Sequence, residues 1–309
     1  MITTTQIQDL NNIPPKIKKK EPPRSINKHL TPLYNNSLFV GAKNSGKTYG
    51  LVKFLKNYEE FPIYNSEGEK LIQKIVLFSP TAHSSLNPIY HSLKHLDWDK
   101  DVVLDYSDDK LQVRLDEIEE LKFEIEKYKA YKKAYQRFLK NKVSKLTEEE
   151  LILLYDNDFI EPEDMKPEYE NMPVFWFVLD DLVGDNKAFK KGNCALSNLC
   201  IKHRHLGINL IFTSQYLRAI PPVIRRNIDI YVLYKFANKQ SVIEQIYPEV
   251  SSLCTEEQFE EMYSKATEEE HSALVIDNHP KTPKNERFKV NFDKIINLNS
   301  YEDKKDKER

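Results

Sequence analysis

One short segment, Gly41–Thr48, has the residue types and spacing needed for chemistry on phosphates. It reads GAKNSGKT and fits the pattern GxxxxGK[ST]. In such a loop, glycines let backbone amides converge on phosphate oxygens, and the N-terminus of the next helix adds positive potential. Lys47 would reach the β- and γ-phosphates, and the Thr48 hydroxyl would be a ligand of Mg²⁺. The residues expected to bind a nucleoside triphosphate are Gly41, Ala42, Lys43, Asn44, Ser45, Gly46, Lys47, Thr48 and Tyr49.

The acidic pair Asp180 and Asp181 is the second candidate group. It directly follows the apolar run Val174–Leu179, which is typical of a strand buried on both faces. At the end of such a strand, Asp180 would hold Mg²⁺ through water. Asp181 would orient and polarise the attacking water. This pattern resembles a Walker B strand, although most related ATPases have glutamate at the second position.

Two further polar groups follow the acidic pair. Gln215 comes directly after the apolar run Ile208–Ser214, and its amide would sense the γ-phosphate. Arg225 and Arg226 follow a rigid Pro-Pro pair, and one of them would be an arginine finger that stabilises the transferring phosphoryl group. A surface ion pair is the competing interpretation of these arginines. The candidate catalytic residues are therefore Lys47, Asp181, Gln215, Arg225 and Arg226.

The charge of the chain is balanced, with 46 basic and 48 acidic residues and a net charge of −2. No global field draws it to nucleic acid, so any contact with DNA must come from a local patch. Lys187, Lys190 and Lys191 follow the acidic pair in a polar loop and are the candidate DNA contacts. A loop that is merely solvated remains the alternative.

Short apolar runs rich in β-branched and aromatic residues alternate with helical patterns along most of the chain. This alternation predicts an α/β fold with a mainly parallel sheet covered on both faces. The GxxxxGK[ST] segment lies between a predicted strand and a predicted helix, as a phosphate-binding loop requires. The predicted strands are Ser37–Val40, Lys74–Ser79, Val102–Asp105, Val174–Asp180, Ile208–Ser214, Asp229–Lys235 and Ala273–Asp277.

A helical insertion over residues 110–156 interrupts this alternation. Apolar residues recur at heptad spacing between Leu111 and Leu139, which predicts a long helix. Thr147 and Glu150 form the sequence pattern of a capping box for a second helix, so we expect a helical hairpin. The apolar seam packs either on its own domain or against another protein, and the sequence leaves both open.

The two ends of the chain differ from its middle. Residues 1–30 are polar, basic and rich in proline, and predict a flexible arm, while residues 300–309 predict a charged, disordered tail. Residues 31–299 form the predicted P-loop domain. The chain has three cysteines, an odd number, and no recognisable secretory signal, which favours an intracellular protein. It has no apolar run long enough to cross a membrane, so we expect it to be soluble and to have no membrane partner.

Two other P-loop classes are weaker interpretations. Asp181–Gly184 fits the DxxG motif of GTPases, but neither Asn186-Lys187 nor Asn238-Lys239 is followed by the Asp of a guanine-reading NKxD motif. A nucleotide kinase would need an arginine-rich lid, and the insertion is rich in Lys, Glu and Tyr instead.

Taken in chain order, the motifs resemble the packaging ATPases of the FtsK/HerA superfamily, in the branch of poxviruses, other large DNA viruses, virophages and Polinton-type elements. The resemblance runs from about Leu38 to Lys235 and is carried by GAKNSGKT, FVLDD, KHRHL, TSQ and IPPVIRRN.

This resemblance implies a RecA-like P-loop fold of the ASCE type, with ATP and Mg²⁺ as cofactors. It further implies a homo-oligomeric ring that moves double-stranded DNA, a capsid or portal partner, and a place in the virion or in the host cytoplasm or nucleus. Gln215 takes the sensor position and Arg225 the finger position, with Arg226 as a second candidate. A nucleotide-binding assembly protein with little turnover, which recruits a capsid partner through the insertion, is the alternative from a different class.

Overall fold

A large sheet organises the computed structural model, which describes residues 22–83, 88–140, 146–181, 195–216 and 220–297. The strands of the described chain are β1 (Arg24–Ser25), β2 (Asn36–Val40), β3 (Ile63–Tyr64), β4 (Lys70–Leu71), β5 (Gln73–Phe78), β6 (Val102–Val103), β7 (Val174–Leu179), β8 (Ile208–Ser214), β9 (Ile230–Tyr234), β10 (Ala273–Asp277), β11 (Phe288–Val290) and β12 (Lys294–Ile295). The main sheet has nine strands in the order β12-β11-β10-β9-β2-β8-β7-β5-β6.

The strands from β9 to β6 are all parallel. Every residue of β2, β7, β8 and β9 is buried, as expected where helices cover both faces of a sheet. Strand β8 lies between β2, which leads into the GxxxxGK[ST] segment, and β7, which ends at the acidic pair. The chain therefore has a RecA-like P-loop fold with a mainly parallel sheet, which confirms the predicted fold class.

Each strand expected from the sequence is present. Strands β8 and β10 have the expected bounds, and four others shift by one residue at one or both ends. The expected strand at 102–105 keeps only the half-buried Val102–Val103. Strands β10, β11 and β12 extend the sheet in antiparallel fashion beyond β9. Of these, only β10 was expected.

Helices cover the sheet in two layers. They are α1 (Lys47–Glu60), α2 (Asp108–Leu139), α3 (Glu148–Tyr155), α4 (Ala195–Leu206), α5 (Pro222–Arg225), α6 (Lys239–Val250) and α7 (Glu256–Ala266). On one face α1 packs its buried side, including Phe54 and Tyr58, against Trp176 of β7. On the other face the start of α2 joins α4, α6 and α7 in a second apolar core.

The insertion forms the expected pair of helices, α2 and α3. Both halves of the Thr147–Glu150 capping box are present. The first part of the seam, including Leu111, Leu115 and Ile118, is buried in the core of the chain's own domain. Tyr131 packs near α3 in a smaller cluster. The apolar seam is therefore used within the chain, and a coiled coil with another protein is not needed to explain it.

The described structure extends ahead of the expected domain boundary at residue 31. Strand β1 pairs with β3, so Arg24–Ser25, predicted as part of the flexible arm, is in fact a strand. Thr31 ties this segment to the sheet by donating a hydrogen bond to Asp277, at 2.8 Å. Residues 1–21 of the predicted arm and the tail 300–309 lie outside the described residues. Among the described helices, none combines the length and apolar character needed to cross a membrane.

Candidate nucleotide site

The predicted phosphate loop lies between the end of β2 and the start of α1. Gly46 precedes the helix in a left-handed conformation, with φ 95°, which glycine adopts without strain. Helices usually begin with a side chain that caps their first amides, but no described side chain does so here, and the first turn of α1 contains no acidic residue. The positive N-terminus of α1 is therefore available to an anion, as in sites that bind phosphate.

Tyr234, at the end of β9, packs closely against two glycines, Gly41 in the loop and Gly50 in α1. A Cβ at Gly41 would lie 2.6 Å from the Tyr234 Cβ, and a Cβ at Gly50 would lie 1.7 Å from its Oη. Both distances are too short for real contacts. The loop and the first turn of α1 are thus fixed against the neighbouring strand.

Lys47 bends back over the loop. Its Nζ donates hydrogen bonds to the carbonyl oxygens of Gly41, at 2.9 Å, and Ala42, at 2.8 Å. Burial lowers the pKa of Lys47, while the nearby Asp181 and Asp180 act in the opposite direction. An ammonium group has three protons, so one donor beyond these two bonds remains for a phosphate oxygen.

Asp180 lies at the end of β7 and is 4% exposed. Its Oδ1 accepts a hydrogen bond from Thr213 at 2.7 Å, and its Oδ2 accepts from Tyr90 at 2.6 Å and from Ser79 at 3.3 Å. Burial raises the pKa of Asp180, and the bonds from Tyr90 and Thr213 act against that rise. Of these three donors, only Thr213 belongs to a motif that the sequence singled out.

Asp181 has a left-handed backbone, with φ 56°. Its amide donates to the Thr213 hydroxyl at 2.8 Å, so this one hydroxyl connects both members of the acidic pair. The Gln215 amide nitrogen donates to both carboxylate oxygens of Asp181, at 3.1 and 3.2 Å. The expected sensor and the expected base are therefore in direct contact, because β7 and β8 end at the same edge of the sheet.

A cavity of about 610 Å³ brings these groups together. Its lining is Lys43, Asn44, Ser45, Gly46, Lys47, Thr48, Tyr49, Thr81, Asp180, Asp181, Gln215 and His271. Gly41 and Ala42 contribute the carbonyls that hold Lys47. Thr81 and His271 come from loops without a recognisable motif, and sequence reasoning missed both.

Arg225 and Arg226 are not among the described residues that line this cavity. They end the short helix α5 just before β9, and the Arg225 carbonyl accepts a hydrogen bond from Tyr231 near the start of that strand. Because β9 runs parallel to β2, its first residues lie towards the sheet edge opposite the phosphate loop. The structure thus does not bring either arginine to its own chain's site.

The three lysines predicted to contact DNA, Lys187, Lys190 and Lys191, lie outside the described residues.

The residues present suit Mg²⁺. Thr48 and Asp180 offer a hydroxyl and a carboxylate to the same cavity, and Mg²⁺ commonly binds one or two protein oxygens together with phosphates and water. Within the described ranges, no cluster of His, Cys, Asp and Glu could hold a metal by itself. A P-loop site does not require one, since the nucleotide supplies oxygens.

Comparison with known proteins finds similarity at the level of structure. No protein-family model matches the chain, and no curated protein matches its sequence. Similar solved structures include the genome packaging NTPase of Sulfolobus turreted icosahedral virus 2 in complex with AMPPCP, with 14% identity and a TM-score of 0.42, over 83% of this chain and 96% of that one.

A second similar structure is EssC (ATPases 2 and 3) from Geobacillus thermodenitrificans, with 18% identity and a TM-score of 0.43, over 87% of this chain and 42% of that one. A third is the pCW3 conjugation coupling protein TcpA, with 14% identity and a TM-score of 0.39, over 79% of this chain and 58% of that one.

Proposed function

We propose that the chain is a Mg²⁺-dependent ATPase that moves double-stranded DNA, and that this DNA is a viral genome packaged into a capsid. One observation carries the ATPase part. The uncapped N-terminus of α1 and Lys47 face the same cavity as the acidic pair and Gln215. Transfer of a phosphoryl group to water needs groups that bind the phosphates and a carboxylate that prepares the water. This cavity contains both.

Each residue has a role in this proposal. Lys47 and the loop amides bind the phosphates, and Thr48 and Asp180 hold Mg²⁺, which offsets charge on the β- and γ-phosphates. Asp181 orients the attacking water, and Gln215 links the γ-phosphate to Asp181. Arg225 or Arg226 of a neighbouring subunit completes the site.

The DNA part rests on the sequence resemblance to packaging ATPases and on the Lys187, Lys190 and Lys191 loop. In a ring, a loop after β7 would face the central channel and contact the phosphate backbone of DNA. A capsid or portal protein is the proposed further partner.

One observation favours the alternative of a slow assembly protein. Exposed apolar side chains cluster on the insertion, where Ile152 and Tyr155 lie one turn apart on α3 and are 52% and 69% exposed. Such a face suits a protein partner.

The test is phosphate release by the purified protein, with ATP or GTP, with and without double-stranded DNA, and with Lys47→Ala as the inactive control. ATP turnover that DNA stimulates supports the motor. Nucleotide binding with negligible turnover at every DNA concentration would favour the assembly protein. A strong preference for GTP would contradict the ATPase assignment.

A further inference from the structure

Tyr90 is a buried residue that no motif predicts and that contacts the proposed metal site. It lies on a short 3₁₀ helix, Pro88–Ser92, and is 0% exposed. Its hydroxyl is 2.6 Å from Asp180 Oδ2, the shortest of the three hydrogen bonds to this carboxylate. Thr48, the other residue proposed to hold Mg²⁺, lines the same cavity as Asp180. The Tyr90 hydroxyl is thus bonded directly to one of the two proposed Mg²⁺ ligands.

The carboxylate of Asp180 is enclosed by hydroxyl groups from three separate elements. Tyr90 comes from the 3₁₀ helix, Thr213 from β8, and Ser79 from the position after β5. All three are at most 1% exposed. Because side chains buried in this way have few alternative rotamers, the two oxygens of Asp180 are fixed in direction as well as in place.

We propose that Tyr90 is a positioning residue for Mg²⁺, which, together with Thr213 and Ser79, holds the Asp180 carboxylate in the direction needed to bind the ion beside Thr48. This inference rests on the proposed function, since it assumes that Mg²⁺ and a nucleotide bind here. Residues that orient a metal ligand typically change metal affinity by about 10- to 100-fold when they are removed.

The experiment uses the full chain and measures binding of a fluorescent ATP analogue. In one series Mg²⁺ is titrated at a fixed nucleotide concentration, and the Mg²⁺ midpoint is the Mg²⁺ concentration that gives half of the maximal binding. A second series measures nucleotide affinity in EDTA, without Mg²⁺. Tyr90→Phe removes the hydroxyl and keeps the ring, and we expect it to raise the Mg²⁺ midpoint by about 10- to 100-fold. Affinity in EDTA should stay at the wild-type value, because the phosphate-binding groups are intact.

The matched control is Tyr58→Phe. Tyr58 is an equally buried tyrosine whose hydroxyl donates to the Thr31 carbonyl at 2.7 Å, away from the acidic pair. This variant should lose stability and keep the wild-type Mg²⁺ midpoint. If Tyr90→Phe does not fold, Ser79→Ala and Thr213→Val test the same enclosure. Ser79→Ala should give the smaller rise, because its bond is the longest of the three at 3.3 Å.

A wild-type Mg²⁺ midpoint in Tyr90→Phe would overturn the inference. An equal loss of nucleotide affinity in Mg²⁺ and in EDTA would also overturn it, because it would indicate that Tyr90 only packs the site. If Tyr90→Phe is unfolded, wild-type midpoints in Ser79→Ala and Thr213→Val overturn it. Wild-type protein that binds the nucleotide without any response to Mg²⁺ would refute the metal part of the proposed function instead.

Discussion

The backbone at residue 181 suits the aspartate of the acidic pair. A left-handed conformation, with φ 56°, is costly for most residues and is tolerated best by glycine, asparagine and aspartate. Glutamate gains no such tolerance. Asp181 therefore fits the local chain, and Gln215 holds its short carboxylate from the neighbouring strand.

Because asparagine also accepts this backbone, Asp181→Asn separates chemistry from folding. It should bind ATP with wild-type affinity and lose about 10²- to 10⁴-fold in turnover, the range ascribed to a general base. Binding of a fluorescent analogue and phosphate release measure the two effects. Asp158→Asn is the matched control, since Asp158 is also left-handed, with φ 49°, but is exposed and does not line the cavity. Near-normal turnover in Asp181→Asn would remove it as the base.

At the scale of elements, the sequence indicated which strands carry the site and their order along the chain. The parallel arrangement follows from the unbroken apolar runs, and it places the ends of β7 and β8 together, so the contact between Asp181 and Gln215 was foreseeable in outline. Tyr90 was not, because it is 90 positions from Asp180 and its short helix has no periodic pattern. Strand β12 was missed because its two residues, Lys294–Ile295, are too few to show an alternating pattern, and both are exposed.

The packing of α1 on β9 gives the second prediction. A Cβ at Gly50 would meet the Tyr234 hydroxyl, so Gly50→Ala should destabilise the fold by about 1–3 kcal/mol through overpacking. Alanine favours a helix interior over glycine by about 1 kcal/mol, which reduces the net loss. Denaturant unfolding measures the change.

Tyr234→Phe provides the control for this packing. Without the hydroxyl, the nearest atom to the new Cβ is the ring carbon at 3.1 Å, so the double variant should recover part of the stability that Gly50→Ala loses. A double-mutant cycle should give a coupling of about 0.5–3 kcal/mol, as for residues in contact. Gly50→Ala with wild-type stability would show that Tyr234 moves aside freely.

At the scale of the whole molecule, the two candidate finger arginines are separated from their own chain's cavity. Arg225 is half-buried, and its Nε is buried without a hydrogen-bond partner among the described residues. α5 is fixed to β9 through the bond from Tyr231 to the Arg225 carbonyl. If either arginine acts in catalysis, a second subunit must bring it to the cavity, as the proposed ring would do.

The third prediction tests this shared site by mixing subunits. Arg225→Ala and Lys47→Ala proteins should each be inactive alone, because a finger supplied in trans is worth about 10³- to 10⁵-fold in turnover and Lys47 binds the phosphates. In mixed rings, some interfaces pair an intact phosphate loop with an intact arginine, so phosphate release should return in part. Arg226→Ala is mixed in the same way to decide between the two arginines.

Arg137→Ala is the control for the loss of an arginine, since Arg137 pairs with Glu150 in the helical insertion. It should keep full turnover and should give no gain when mixed with wild type. Nucleotide binding must survive in the finger variant, because the arginine acts on the transition state rather than on the bound nucleotide. The shared-site mechanism is wrong if Arg225→Ala and Arg226→Ala both retain wild-type turnover, or if a strict monomer hydrolyses ATP at the full rate.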